Sequence, residues 1–296
     1  MYAVTGATGN TGRVIVEILL AAGKPVRAIG RSAQKLQPLA DKGAEPIVGA
    51  LDDAGTVAKA FKDAQAVYAM IPPSFTAPRF RAYQDRIGEV LAGALREMRV
   101  PNVVHLSSIG ADQATGVGPV TGLHAQEERL SALPAANVLH LRPGFFMENL
   151  WAFADMLRQG FLASPLRPDL QFPWIATRDI GQVAADELLQ LGFRGKQVRE
   201  LHGQRDLSLQ ETARVVGAAV GKEIRVQQVP YDQAEQVLVQ AGLTQDLASL
   251  YVEMNRAMNE GRMKPREPRS SRTTTPTSIE TFVQGFAAAL HRTGTP

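Results

Sequence analysis

"VTGATGNTG", residues 4–12, carries three glycines at regular three-residue spacing. Gly6, Gly9 and Gly12 follow the apolar run "YAVT" (2–5) and open a helix-like stretch at 11–22. The spacing G-x-x-G-x-x-G differs from the commoner G-x-G-x-x-G, but the physical demands are the same. A tight turn needs a residue that tolerates positive φ. A backbone that approaches a pyrophosphate has no room for a Cβ. The helix N-terminus then offers free N–H groups and partial positive charge to the anion. Taken alone, such a triplet also suits a strand–helix turn that binds nothing. Its position carries the weight, because it is the first strand–helix turn of an alternating chain, where a dinucleotide motif belongs.

Further strand-like runs are "VRAIG" (26–30), "EPIVG" (45–49), "AVYAMI" (66–71), "NVVHLS" (102–107) and "NVLHLR" (137–142). Helix-like stretches lie between them at 33–42, 54–62, about 78–98 and about 122–132. Strict alternation implies parallel strands joined by right-handed crossovers. Near-continuous apolar strands imply a sheet covered on both faces. The fold class is therefore α/β, a doubly wound parallel Rossmann-type sheet with a smaller, mostly helical C-terminal lobe.

After Pro143 the rhythm changes. Residues 144–176 mix aromatic and loop signals, and helix starts follow at Asp179 and at Ser208. Ser208 with Glu211 forms a capping box. "QVRELHG" (197–203) reads as another strand, and 231–260 as helices. The basic segment "MKPREPRSSRTTTPT" (263–277) precedes an apolar helix that Thr277 and Glu280 are expected to cap, so it reads as an ordered surface strap. The expected organisation is a nucleotide-binding domain over 1–143, with 176–203 returning to it. Residues 144–175 and 204–296 would form the substrate lobe and the C-terminal helix.

Composition removes several classes of function. With 45% hydrophobic and 21% charged residues the chain has the balance of a soluble globular enzyme. A net charge of +3, from dispersed basic residues, gives no footprint for nucleic acid. The absence of cysteine excludes disulfides, thiolate nucleophiles and iron–sulfur or zinc–thiolate sites, and suits a reducing cytosol. The strand pattern begins at Tyr2 with no signal peptide before it, so a cytoplasmic location is expected. No apolar run approaches the ~20 residues of a membrane span. His105, His124, His140, His202 and His291 show no ligand spacing, so no metal is expected. Monomer and homodimer both stay open.

The end of the second strand decides which dinucleotide is preferred. An acid there would bind a ribose 2′-hydroxyl. This chain has "GRS" (30–32), so Arg31 points to the 2′-phosphate of NADP(H) over NAD(H), with Lys35 one turn later and Asp52 beside the adenine. The bland alternative for Arg31 is a solvated loop cation. Gly6, Thr8, Gly9, Asn10, Thr11 and Gly12 would hold the pyrophosphate. Ile71, Pro72 and Pro73 after the fourth strand, Ser107 and Ser108 after the fifth, and Pro143 and Gly144 after the sixth would line the rest of the crevice. No flavin is expected.

These motifs, with "LSS" (106–108) and above all "LRPGFFMENL" (141–150), resemble the NmrA-like family of atypical short-chain dehydrogenase/reductase proteins. The resemblance extends over nearly the whole chain, including "ATRDIGQVAA" (176–185) and "VPYDQA" (229–234). It implies the Rossmann fold and an NADP site. It leaves the reaction open, because members include quinone, azo-dye and triphenylmethane-dye reductases as well as redox sensors that bind the nucleotide without turnover.

Short-chain reductases usually follow a catalytic serine with Tyr-x-x-x-Lys. Here no tyrosine occurs between Tyr83 and Tyr231, and no lysine between Lys62 and Lys196. The corresponding helix offers His124 and Glu128, four apart and on one face. Imidazole is the side chain best placed to move a proton near neutral pH, and a carboxylate can orient it. The alternative is a local i,i+4 pair of no catalytic consequence. Hydride addition to a simple ketone develops an alkoxide that needs a strong positioned donor. Quinones, azo compounds and cationic dyes spread the incoming charge and need less. Phe145, Phe146, Met147, Trp151, Phe153, Phe172 and Trp174 cluster where a lobe would cover the nicotinamide. Part of that cluster is expected to be ordinary core. The expected function is NAD(P)H-dependent reduction of a small aromatic, quinone-like or azo-dye-like substrate. The alternative is a non-catalytic NADP(H)-binding redox sensor that binds a protein partner.

Overall fold

A computed structural model of the chain describes residues 1–292. Strand and helix alternate through β1 (Tyr2–Val4), α1 (Asn10–Ala21), β2 (Val26–Gly30), α2 (Ala33–Ala40), β3 (Glu45–Val48), α3 (Ala54–Phe61), β4 (Ala66–Ala69), α4 (Phe80–Glu97), β5 (Asn102–Leu106), α5 (Val120–Ser131) and β6 (Asn137–Pro143). Next come β7 (Phe145–Phe146), a 3-10 turn (Met147–Phe153), α6 (Ala154–Arg158), β8 (Phe161–Ser164), β9 (Phe172–Ile175) and α7 (Thr177–Gln190). The chain ends with β10 (Lys196–Leu201), β11 (Asp206–Leu207), α8 (Leu209–Val220), β12 (Arg225–Gln228), α9 (Tyr231–Gln240), α10 (Gln245–Asn259) and α11 (Ile279–Arg292).

Seven strands form one parallel sheet in the order β3-β2-β1-β4-β5-β6-β10. The winding reverses between β1 and β4, which opens a crevice at the carboxyl ends of the strands. Both faces are covered, as the apolar strands require. Ile15 and Leu19 of α1 pack with Ile180 and Leu188 of α7 on one face. Phe61, Leu91, Leu95 and Leu130 of α3, α4 and α5 pack on the other. A third core, around Leu157, Leu162, Val216, Met258 and Val283, joins the later helices to two small sheets, β11-β9-β7 and β12-β8. Among the described residues, no helix is long and apolar enough to cross a membrane.

The connector at 263–277 is ordered and covers the free edge of β10. The Glu200 carboxylate accepts the backbone N–H groups of Arg266 and Glu267, and Arg199 Nε donates to the Arg272 carbonyl. Covering an edge strand removes a template for unwanted pairing. The strap is not all surface, since Thr273, Thr275 and Thr277 are buried. Two helix starts differ from expectation. Thr277 donates its N–H and hydroxyl to Asp179, and Ser278 instead accepts the Thr281 N–H at the start of α11. Glu280 pairs with Arg205. α7 begins at Thr177 rather than Asp179, because the Glu148 carboxylate accepts the Thr177 N–H and hydroxyl from 29 residues away. The Ser208–Glu211 capping box is present.

Buried polar groups interrupt the α5-facing side of the sheet. His105 and His140 are register partners with Nδ1 atoms 3.0 Å apart, and His140 Nε2 lies 3.1 Å from Ser131 Oγ. His105 Nε2 is buried without a protein partner. The tautomers that leave no orphan donor have His105 Nδ1–H donating to His140 Nδ1, and His140 Nε2–H donating to Ser131. Burial pushes His140 down to about 4 from an ordinary 6.5, and His105 also falls well below its usual value. Between pH 6.5 and 4 the unfolded chain therefore binds a proton that folded His140 refuses, so stability falls as the pH falls. His140 alone is expected to cost about 2 kcal/mol on going from neutral pH to pH 5. Thermal unfolding measured across that range should show the loss, and His140→Gln should flatten it. An equally steep profile in the variant would assign the acid sensitivity elsewhere.

Candidate functional site

The glycine turn sits at the carboxyl end of β1, on the rim of the crevice. Gly6 has a positive φ of 60°, and the turn is fixed by Gly9 N–H to Gly6 O (2.9 Å) and by Ala7 N–H to Ile29 O (3.1 Å). The glycines do different work. A Cβ on Gly12 would lie 2.3 Å from Gly6 O, so Gly12 lets the turn pack on its own helix. Gly9 is extended and exposed, and a Cβ there would meet only Gly6 O, at 3.2 Å. No side chain caps α1, and the Arg13 N–H bonds back to Gly9 O. The first-turn N–H groups before it, of Asn10, Thr11 and Gly12, have no intrahelical acceptor. Thr8 and Asn10 are exposed. Thr11 is buried and its hydroxyl accepts from Tyr68 (3.0 Å), so Thr11 contributes its backbone alone. Uncapped N–H groups beside a backbone free of Cβ fit a pyrophosphate.

The ends of β2, β3 and β4 bring a second group together. Arg31 is exposed and makes no hydrogen bond or ion pair with any described residue. Lys35 is exposed, and its N–H is taken by the Ser32 cap. Asp52 forms an ion pair with Arg86 of α4 at 3.3 Å. Tyr83 donates its hydroxyl to the Pro72 carbonyl at 3.0 Å, beside buried Ile71. Burial raises the Tyr83 pKa, Arg31 and Arg86 lower it, and Asp52 raises it. Tyr83 and Arg86 were not legible as site residues, because they come from the helix after β4.

The third group lies where β5 and β6 end. Ser107 is buried and its hydroxyl donates to Glu127, which also receives Nε and Nη2 of Arg142 at 2.9 and 2.6 Å. Burial alone would lower the Arg142 pKa; the hydrogen bonds and charge of Glu127 outweigh it and raise the value. The Ser107 hydroxyl is thus committed to Glu127 inside the fold. Ser108 is half-buried and donates to Ile109 O. His124 lies one turn before Glu127, beyond the carboxyl edge of β5. Its Nδ1 donates to the Ala111 carbonyl at 2.8 Å, which leaves Nε2 outside that bond. Nε2 stands 3.5 Å from Glu128 Oε1, and the Glu128 side chain is 71% exposed. The structure joins His124 to Glu128, and makes no hydrogen bond between His124 and Ser107.

Pro143 and Gly144 are buried where the chain leaves the sheet. A Cβ on Gly144 would sit 2.3 Å from Pro173 O, so this glycine admits the close approach of β9. The expected aromatic pocket divides. Met147 and Trp174 are 1% and 3% exposed and pack in the core, with Trp174 the register partner of Phe145 in the β7–β9 ladder. Phe145 packs on Trp174 with ring centroids 4.7 Å apart, and Phe146 is half-buried against the sheet core. Trp151 is 42% exposed and packs on Phe286.

The strand order and glycine turn define a Rossmann-type nucleotide-binding protein. The chain belongs to the NmrA-like family, whose sequence profile matches residues 2–283. It is 30% identical to an NAD(P)H azoreductase of Xenophilus azovorans over 263 residues, covering 88% of this chain and 85% of that protein. The NADPH-dependent quinone oxidoreductase of Escherichia coli, solved with NADPH, superposes with a TM-score of 0.81 at 22% identity, over 97% of this chain and 99% of that one. NmrA, a negative transcriptional regulator solved with NADP, superposes with a TM-score of 0.73 at 16% identity, over 99% and 97%.

Proposed function

We propose that the protein is an NADPH-dependent reductase of electron-poor conjugated acceptors of the quinone or azo-dye type. The observation that carries the reading is the uncapped, exposed N-terminus of α1 at the switch point, together with unpaired Arg31 at the end of β2. The backbone N–H groups of Asn10, Thr11 and Gly12 hold the pyrophosphate, and Arg31 with Lys35 holds the 2′-phosphate. The bound dihydronicotinamide supplies the hydride. Phe145 and the exposed ring of Trp151 face the acceptor, and residues 144–175 and 204–292 act as the lobe that excludes water from it. His124, fixed through Nδ1 by Ala111, passes a proton from Nε2 to the reduced oxygen or nitrogen, and Glu128 orients it.

A regulator that binds NADP(H) without turnover is the second reading. It is favoured by the commitment of the Ser107 hydroxyl to Glu127, which removes that hydroxyl as a proton donor. Steady-state NADPH oxidation with a quinone separates the two. In the reductase, His124→Ala is expected to lower the rate about tenfold to a hundredfold, at the low end of general-acid effects, with nucleotide affinity nearly intact. A rate equal to wild type would make the His124–Glu128 pair structural, and no oxidation by the wild type with any acceptor favours the regulator.

A further inference from the structure

Arg81 and Arg86 lie on α4 and are used differently. Arg81 is tied to Asp85 within the helix (3.0 Å), whereas Arg86 reaches across the rim to Asp52 (3.3 Å). Register explains why Asp52 is there: Gly30 pairs with Val48, so Arg31 and the turn after β3 leave the sheet side by side. The neighbouring Asp53 is spent on capping α3, accepting the Gly55 N–H at 3.0 Å. The Asp52 carboxylate therefore stands on the same rim as Arg31, where, bare, it would repel a phosphate. The Arg86 guanidinium carbon also lies 5.9 Å from the ring of Tyr83, whose hydroxyl is anchored on Pro72. Tyr83 thus has Arg86 over its ring, and Arg86 is in turn paired with Asp52.

The Asp52–Arg86 pair has side chains 57% and 37% exposed for Arg86 and Asp52, so it is weak and free to rearrange. Arg86 makes no hydrogen bond with any described residue, so the donors of its planar fork remain available. We propose that Arg86 is a nucleotide-specificity residue: it neutralises Asp52 with one edge of its guanidinium and grips the 2′-phosphate of NADP(H), beside Arg31, with the other. This rests on the NADP reading above and adds to it a residue from the opposite wall of the crevice. A nucleotide without the phosphate gains nothing from Arg86, so the residue sets selectivity rather than affinity in general.

The test is calorimetric titration of NADP⁺ and NAD⁺ into the wild type, Arg31→Ala, Arg86→Ala and Arg86→Lys. Because Arg86 is exposed, the variants should keep the wild-type melting temperature, which is checked first. Arg86→Ala is expected to weaken NADP⁺ about tenfold, the value of a lost charge-assisted contact, and to change NAD⁺ by less than about twofold. Arg86→Lys should recover part of the loss, keeping the charge without the fork. Unchanged NADP⁺ affinity in Arg86→Ala, with the wild-type preference intact and lost in Arg31→Ala, would overturn this inference alone. Equal affinity of the wild type for both nucleotides would overturn the NADP reading and this inference with it.

Discussion

Replacing Gly9 with valine is expected to lower NADPH affinity by at least about a hundredfold while the apo protein melts close to the wild-type temperature. Gly9 is extended, so no positive-φ conformation is lost, and a Cβ there meets only Gly6 O at 3.2 Å. The branches of valine project over the N–H groups of the first turn and exclude the pyrophosphate. Losing two charge-assisted hydrogen bonds of ~1.5–3 kcal/mol each accounts for the loss. Gly12→Ala is the contrasting control. Its methyl would meet backbone at 2.3 Å, so it should destabilise the protein itself. Titration and melting of both variants separate a ligand site from a turn. Unchanged nucleotide affinity in Gly9→Val would reduce the motif to a turn.

The second large effect concerns stability. Glu127→Ala is expected to cost about 3–5 kcal/mol, because it leaves Arg142 charged and unpaired in the sheet and frees the Ser107 hydroxyl. The two side chains are 10% and 12% exposed, so water cannot replace the lost partner fully. A paired change, Glu127→Ala with Arg142→Met, should recover much of the loss, since removing both charges removes the uncompensated one. Chemical denaturation reads both. A single variant as stable as wild type would show that the pair is solvated and contributes nothing.

These two sites were unequally legible. The glycine turn and Arg31 are local in sequence, and the strands were legible because both faces of the sheet are buried and each strand is a short apolar run. Glu127 was hidden by its neighbour. The spacing His124-x-x-x-Glu128 draws attention to a glutamate that is 71% exposed. Glu127 instead shares a helix face with Val120 and Leu130, both buried. On β6, Arg142 shares a face with Val138 and His140, so a buried polar network was detectable from alternation. The Asp52–Arg86–Tyr83 group was not, because nothing local pairs a turn after β3 with the second turn of α4. The start of α7 was misplaced for the same reason, its cap being the distant Glu148.

Bound NADPH is expected to deliver hydride to a conjugated acceptor without a Tyr-x-x-x-Lys relay. The most direct measurement is a single-turnover experiment under anaerobic conditions. The protein is saturated with NADPH, mixed with a quinone or an azo dye, and nicotinamide oxidation and acceptor reduction are followed together. The expected result is stoichiometric loss of both, one NADPH for each two-electron reduction, much faster than in the protein-free control. Tight NADPH binding with no oxidation above that control, for any acceptor of either type, would contradict the claim.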